Sequence, residues 1–154
     1  FLGINYYSRQ VVRAAPAELL ASQQVQVPDA PHTTMGWEVY PEGLSEILQR
    51  VERDYRPRAL YVTENGASFD DQLRQGRVSD PDRTRYLAQH FAEAARAISA
   101  GVPLEGYFVW SLLDNFEWNN GYSKRFGIVH VDYATQRRTD KESARWYREF
   151  LAAR

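Results

Sequence analysis

The sequence predicts an α/β fold in which parallel strands alternate with helices. Three observations carry this. Short runs of β-forming residues at 1–7, 59–64 and 102–110 are each followed by a stretch of helical periodicity. Strands joined through helices run parallel with right-handed crossovers. Three strands alone leave two unpaired edges, and a closed (β/α)8 (TIM) barrel needs eight strands and about 250 residues. The 154 residues therefore make a single partial domain over 1–154, a part of such a barrel, and read as a piece of something larger.

The elements follow in order. In the first strand Leu2 and Ile4 share one face and Asn5 and Tyr7 the other, so two polar groups emerge together at its end. Residues 8–36 lack sustained periodicity and carry Pro16, Pro28 and Pro31. A segment of that length without strong structure is usually functional or disordered. It closes on Met35-Gly36-Trp37. Leu44, Ile47, Leu48, Val51 and Tyr55 then keep helical spacing, with Glu42 early and Arg56-Pro57 as the stop. The second strand, 59–64, ends on Glu64, and Asn65-Gly66 turns the chain away. Residues 65–79 read as a polar loop in which Asp70-Asp71 is solvated. Asp80 as N-cap and Pro81 in the first turn open a helix. Tyr86, Leu87, Phe91, Ala94, Ala95 and Ile98 form its apolar face, and Gly101 stops it.

The third strand, interrupted by Gly106, ends in Tyr107-Phe108-Val109-Trp110-Ser111. A loop dense in polar and aromatic groups follows, from 112 to 125. Residues 127–132 read as a short strand with the 136–138 region as its candidate partner. Thr139 and Glu142 form a capping box for a last helix carrying Trp146, Phe150 and Leu151.

Composition narrows the function classes. Lys and Arg number 19 against 20 Asp and Glu, the signs are interspersed, and no basic stripe recommends nucleic acid. No apolar run approaches the roughly 20 residues that span a bilayer. The absence of cysteine removes disulfide and thiolate chemistry and agrees with a reducing, cytoplasmic compartment. His32, His90 and His130 are not at metal-ligand spacing and read as structural. No Gly-rich strand-to-helix loop offers a phosphate site. No metal and no cofactor are expected.

What remains is a concentration of chemistry at the strand ends. Asn5 and Tyr7, Glu64 and Asn65, and Trp110 converge on one face if the strands are parallel, and the following loop adds Asp114, Asn115, Glu117, Trp118, Asn119 and Asn120. Carboxylates accept from hydroxyls, amides donate and accept, and indoles stack on pyranose C–H faces, so the set suits a sugar. Glycoside hydrolysis commonly uses two carboxylates about the scissile bond. For Glu64 taken alone, a structural ion pair at a barrel mouth and a catalytic role both stay open. Trp146, on a terminal helix, reads as core.

The segments 61–66 (Tyr-Val-Thr-Glu-Asn-Gly), 106–118 (from Gly106 through Trp110-Ser111 to Glu117-Trp118) and 121–127 (Gly-Tyr-Ser-Lys-Arg-Phe-Gly) resemble family 1 glycoside hydrolases, the β-glucosidases and their relatives. The resemblance runs over almost the whole chain and implies a (β/α)8 barrel of which this is the C-terminal part, strands six to eight. It implies that Glu64 is the catalytic nucleophile and that Tyr7 hydrogen-bonds its carboxylate, with Asn5 nearby. It places Trp110, Glu117 and Trp118 on the non-reducing sugar, Phe126 in the same subsite, and Trp37 on the aglycone side. The family's general acid/base Glu lies in an Asn-Glu-Pro motif that does not occur here, and pairing Glu64 with Glu117 is rejected because Glu117 matches a ligand for hydroxyls. The expected partners are a β-glucoside or short β-linked oligosaccharide and the N-terminal remainder of the barrel. A non-catalytic sugar-binding module and a fragment without activity stand as the other readings.

Overall fold

The computed structural model describes residues 1–153. In chain order it contains β1 (Leu2–Asn5), β2 (Val11–Ala14), β3 (Ser22–Val25), α1 (Glu42–Tyr55), β4 (Leu60–Asn65), β5 (Leu73–Arg74), β6 (Arg77–Val78), α2 (Pro81–Ser99), β7 (Leu104–Val109), β8 (Val129–Val131), β9 (Arg138–Asp140) and α3 (Glu142–Ala152). The three predicted strands form one parallel sheet in the order β1-β4-β7. The remaining strands make three antiparallel hairpins, β2-β3, β5-β6 and β8-β9, lying in the connections.

Alternation along the strands decides which side the helices cover. Leu60 and Val62 of β4 are fully buried and meet Leu44 and Leu48 of α1 and Ala94 and Ala97 of α2, with Ile4 packed against the same cluster. Burying a leucine completely stabilises by roughly 1.5–3 kcal/mol, which is why the helical spacing of α1 translates into docking. A second cluster joins Tyr86 and Leu87 of α2, Ala144 of α3 and Ile128, with Phe91 and Trp146 stacked beside it. Trp146, expected in the core, is half-buried and packs against it. On the opposite face of the sheet Gly106 is required: a Cβ there would lie 2.5 Å from the Tyr61 ring. Among the described residues no strand pairs with the outer edge of β1 or of β7, and Phe1, Leu2 and Phe108 stand exposed along them.

Several local expectations are corrected. Residues 8–36 contain the β2-β3 hairpin, and 65–79 contain β5-β6. Asp71 is buried and ion-paired with Arg83 and Lys141 rather than solvated. Asp80 occupies the N-cap position of α2 but makes no capping bond, because its carboxylate is committed to Arg83 and Ser143. The Thr139–Glu142 capping box does not form: Thr139 lies in β9, Lys141 is the N-cap residue, and the Glu142 carboxylate accepts from Ser79. Tyr55 and Ile98, expected on apolar faces, are exposed.

Candidate active site

The parallel arrangement delivers the ends of β1, β4 and β7 to one side, and the β4 terminus is the sharpest point. Register shifts occur between Ile4 and Asn5 and between Val62 and Asn65. Such irregularities re-aim side chains at a sheet's rim. Asn65 consequently turns inward, fully buried, with Nδ2 donating to the Tyr6 carbonyl and to the Tyr86 hydroxyl and Oδ1 accepting from Tyr107. The sequence placed Asn65 at the mouth; the structure makes it the anchor behind it. Glu64 is left facing the open side.

There the Tyr7 hydroxyl donates to Glu64 Oε2 at 2.7 Å. Burial, then the bond to Glu64, push the Tyr7 phenol well above its ordinary value, so it stays protonated and remains a donor. Tyr7, Trp37 and Phe126 form a ring cluster with centroids 5.5 Å (Tyr7–Trp37), 6.2 Å (Tyr7–Phe126) and 6.1 Å (Trp37–Phe126) apart. Glu64, Trp110, Glu117 and Trp118 complete the lining of an open cleft of about 390 Å³. Of the residues that the family resemblance assigns to the site, every one except Asn5 lines it, whereas Asn65, Asp114, Asn115, Asn119 and Asn120 do not. Asn5 lies one step away, its Oδ1 accepting from Thr63 at 2.6 Å, and lines a neighbouring cleft of about 440 Å³ that shares Tyr7 and Trp37.

Two carboxylates therefore face one cleft. Partial burial, then the negative charge of Glu64, raise the pKa of Glu117 above the ordinary carboxylate range. Glu117 and Trp118 sit on a tight turn in which Glu117 N donates to the Gly121 carbonyl at 2.7 Å and Asn120 N to the Glu117 carbonyl at 2.8 Å. Trp118 adopts a left-handed backbone with φ 38° and is 81% exposed. A non-glycine residue there costs about 1 kcal/mol or more and persists only where its surroundings over-determine it.

The strands carrying Glu64 and Trp110 touch through their backbones. Trp110 N donates to the Asn65 carbonyl, and a Cβ on Gly66 would fall 1.7 Å from the Trp110 carbonyl oxygen. The Trp110–Ser111 peptide is cis. One further contributor escaped the sequence reading, and one was misplaced by it. Lys124 Nζ donates to the Thr34 carbonyl at 2.5 Å, tying the loop after β7 to the segment before Trp37. Asp114, expected to face sugar, points inward and is bonded by Lys141, Arg125 and the Gly127 and Val131 amides. The alternation of charged residues within one loop gave no sign of that inversion; its partners lie in other elements. Among the described residues no group of three or more His, Asp or Glu side chains is arranged to hold a metal ion.

Residues 1–154 match the glycosyl hydrolase family 1 pattern. Beta-glucosidase A of Thermotoga maritima is 54% identical over 151 residues, covering 96% of this chain and 33% of that protein. A bifunctional beta-D-glucosidase/beta-D-fucosidase of Bifidobacterium breve is 43% identical over 98% of the chain and 36% of its own length. A 6-phospho-beta-galactosidase of Streptococcus equi subsp. zooepidemicus is 39% identical over the whole chain and 37% of that protein. The solved family 1 β-glucosidase of T. maritima superposes with a TM-score of 0.95 at 52% identity, over 97% of this chain and 34% of that one, and is also solved with glucoimidazole bound. The chain thus spans about a third of the length of these relatives, and its three-stranded sheet is a part of their (β/α)8 barrel. By sequence and by fold, this chain belongs to glycosyl hydrolase family 1.

Proposed function

We propose that the chain is the nucleophile-bearing part of a retaining β-glucosidase that releases terminal non-reducing β-D-glucosyl residues. The observation carrying this is the 2.7 Å bond from Tyr7 to Glu64 inside a cleft lined by Trp110, Glu117, Trp118, Phe126 and Trp37. A donor to the carboxylate stabilises its charge, and an ionised carboxylate is the attacking form. In the first step Glu64 attacks the anomeric carbon through an oxocarbenium-like transition state, while an acid from outside this chain protonates the leaving oxygen. Retaining enzymes hold that second carboxyl about 5–5.5 Å from the nucleophile. In the second step the same group, now a base, activates water to release the sugar.

Glu117 grips outer hydroxyls of the sugar through both carboxylate oxygens, Trp110 forms the stacking floor and Phe126 closes the subsite. Trp37 walls the aglycone side, where the neighbouring cleft with Asn5 continues. A neutral glycone fits better than a 6-phosphate, because Glu64 and Glu117 already set two negative groups in one cleft and a phosphate would be repelled. The relative bound to glucoimidazole supports a glucoside. The remainder of the barrel is the partner, seated against the unpaired edges of β1 and β7, and the chain without it is inactive. The test is Glu64→Gln in a complete barrel carrying this chain: turnover of an aryl β-glucoside falls by about 10³-fold or more. Retained turnover removes Glu64 as nucleophile.

A further inference from the structure

Behind the cleft, charges alternate along an unbroken chain of six side chains. Arg125 Nη1 meets Asp114 Oδ2 at 2.6 Å, Lys141 Nζ meets Asp114 Oδ1 at 2.8 Å and Asp71 Oδ2 at 2.5 Å, and Arg83 spans Asp71 and Asp80 at 2.7 and 2.6 Å. Arg83, Lys141, Asp71, Asp80 and Asp114 are buried, while Arg125, at the end nearest the cleft, is partly exposed. Three cations balance three anions. The elements joined are the loop after β4, the start of α2, the loop after β7 and the start of α3.

The network does not stop at side chains. Arg83 Nη2 donates to the carbonyl of Arg125 at 2.8 Å, and the amide of Gly127 donates to Asp114 Oδ1 at 3.0 Å. Arg125 and Gly127 are the two neighbours of Phe126, which is 2% exposed and packed on Tyr7 and Trp37. Asp114 also begins the stretch that carries Glu117 and Trp118, and its second oxygen accepts from the Val131 amide. Buried ion pairs are weak contributors to net stability, since hydrophobic replacements of like volume often do as well. Directional bonds to one backbone stretch are something a hydrophobic core cannot supply.

We propose that this six-residue network is a positioning device for the glycone subsite, with Asp114 as its key residue: it fixes Phe126, Glu117 and Trp118 relative to Glu64. The assignment rests on the sugar-site reading above and makes none of the six a catalytic residue. They act through the loop.

The experiment uses a complete barrel carrying this chain, with deoxynojirimycin as the glycone probe and an aryl β-glucoside as substrate. Asp114→Asn raises Ki and KM together by about tenfold, some 1.4 kcal/mol of lost glycone contact. Arg125→Met, at the partly exposed end, does the same to a smaller degree, and Arg125→Lys restores most of the affinity. A purely structural role lowers the melting temperature and leaves Ki of the folded protein untouched. If Asp114→Asn does not fold, Arg125→Met decides, and an unchanged Ki there overturns the positioning role. A parent barrel that is not inhibited by deoxynojirimycin overturns the sugar site itself, and the network's role with it.

Discussion

Carboxylates gather in two neighbouring regions of this molecule, and they are treated in opposite ways. In the network behind the loop, Asp71, Asp80 and Asp114 are each held by a cation at 2.5–2.8 Å and withdrawn from water. In the cleft, Glu64 and Glu117 have no ion-pair partner among the described residues; Glu64 is met by a phenol, and the pKa of Glu117 is raised partly by its neighbour's charge. Pairing makes a carboxylate structural and silent. A carboxylate kept unpaired beside another is poised for a ligand.

The contrast can be broken from either side. Removing one partner from a buried pair leaves an uncompensated charge and costs about 3–5 kcal/mol. Lys141→Met, which takes one of two cations from each of Asp71 and Asp114 and leaves the buried network with one unbalanced negative charge, should lower the stability of the protein by that amount in urea denaturation. Glu64→Gln should leave the midpoint almost where it was; a large loss there would mean that the cleft carboxylate is structural too. Tyr7→Phe removes the hydroxyl and keeps the ring. A hydrogen bond to a charged group is worth about 1.5–3 kcal/mol, so kcat/KM in the complete barrel should fall by about 10- to 10²-fold with little change in fold. Unaltered kinetics would show that Glu64 does not depend on the phenol.

The smallest effect concerns the pair in the cleft. Burial is the first cause of the raised Glu117 pKa and the Glu64 charge the second. Glu64→Gln deletes only the second, so Glu117 should titrate at lower pH than in the parent while staying above the ordinary range. Carbon-13 NMR of labelled carboxylates reads this directly, and an unmoved titration would separate the two groups electrically. A folded-state pKa raised above the unfolded one favours the folded protein below the unfolded value. That contribution disappears as pH rises through the folded value. Ionised Glu117 is therefore retained at a small cost in stability, in keeping with the proposed ligand role.

How much of this was legible follows from where the information sits. Leu60 to Gly66 announced a strand, a carboxylate and a turn within a few residues, and the strand–helix alternation gave the parallel sheet. The β2-β3 hairpin did not show, because Val11–Ala14 and Ser22–Val25 face solvent along most of their length and leave no hydrophobic period. Asp71 looked like a solvated acid because its partner Lys141 comes from the start of a distant helix. The register shifts that turn Asn65 inward depend on how neighbouring strands pair, which no single run of residues records.

The contact between Gly66 and the Trp110 carbonyl has a further consequence. The separation between Trp110 and the strand end that carries Glu64 is set by main chain against main chain, with no side chain acting as a spacer. Rotamer changes and substitutions nearby cannot lengthen or shorten it. On the proposed reading, changes in sugar preference would arise in the loops, around a reference distance that a side chain at position 66 would disturb.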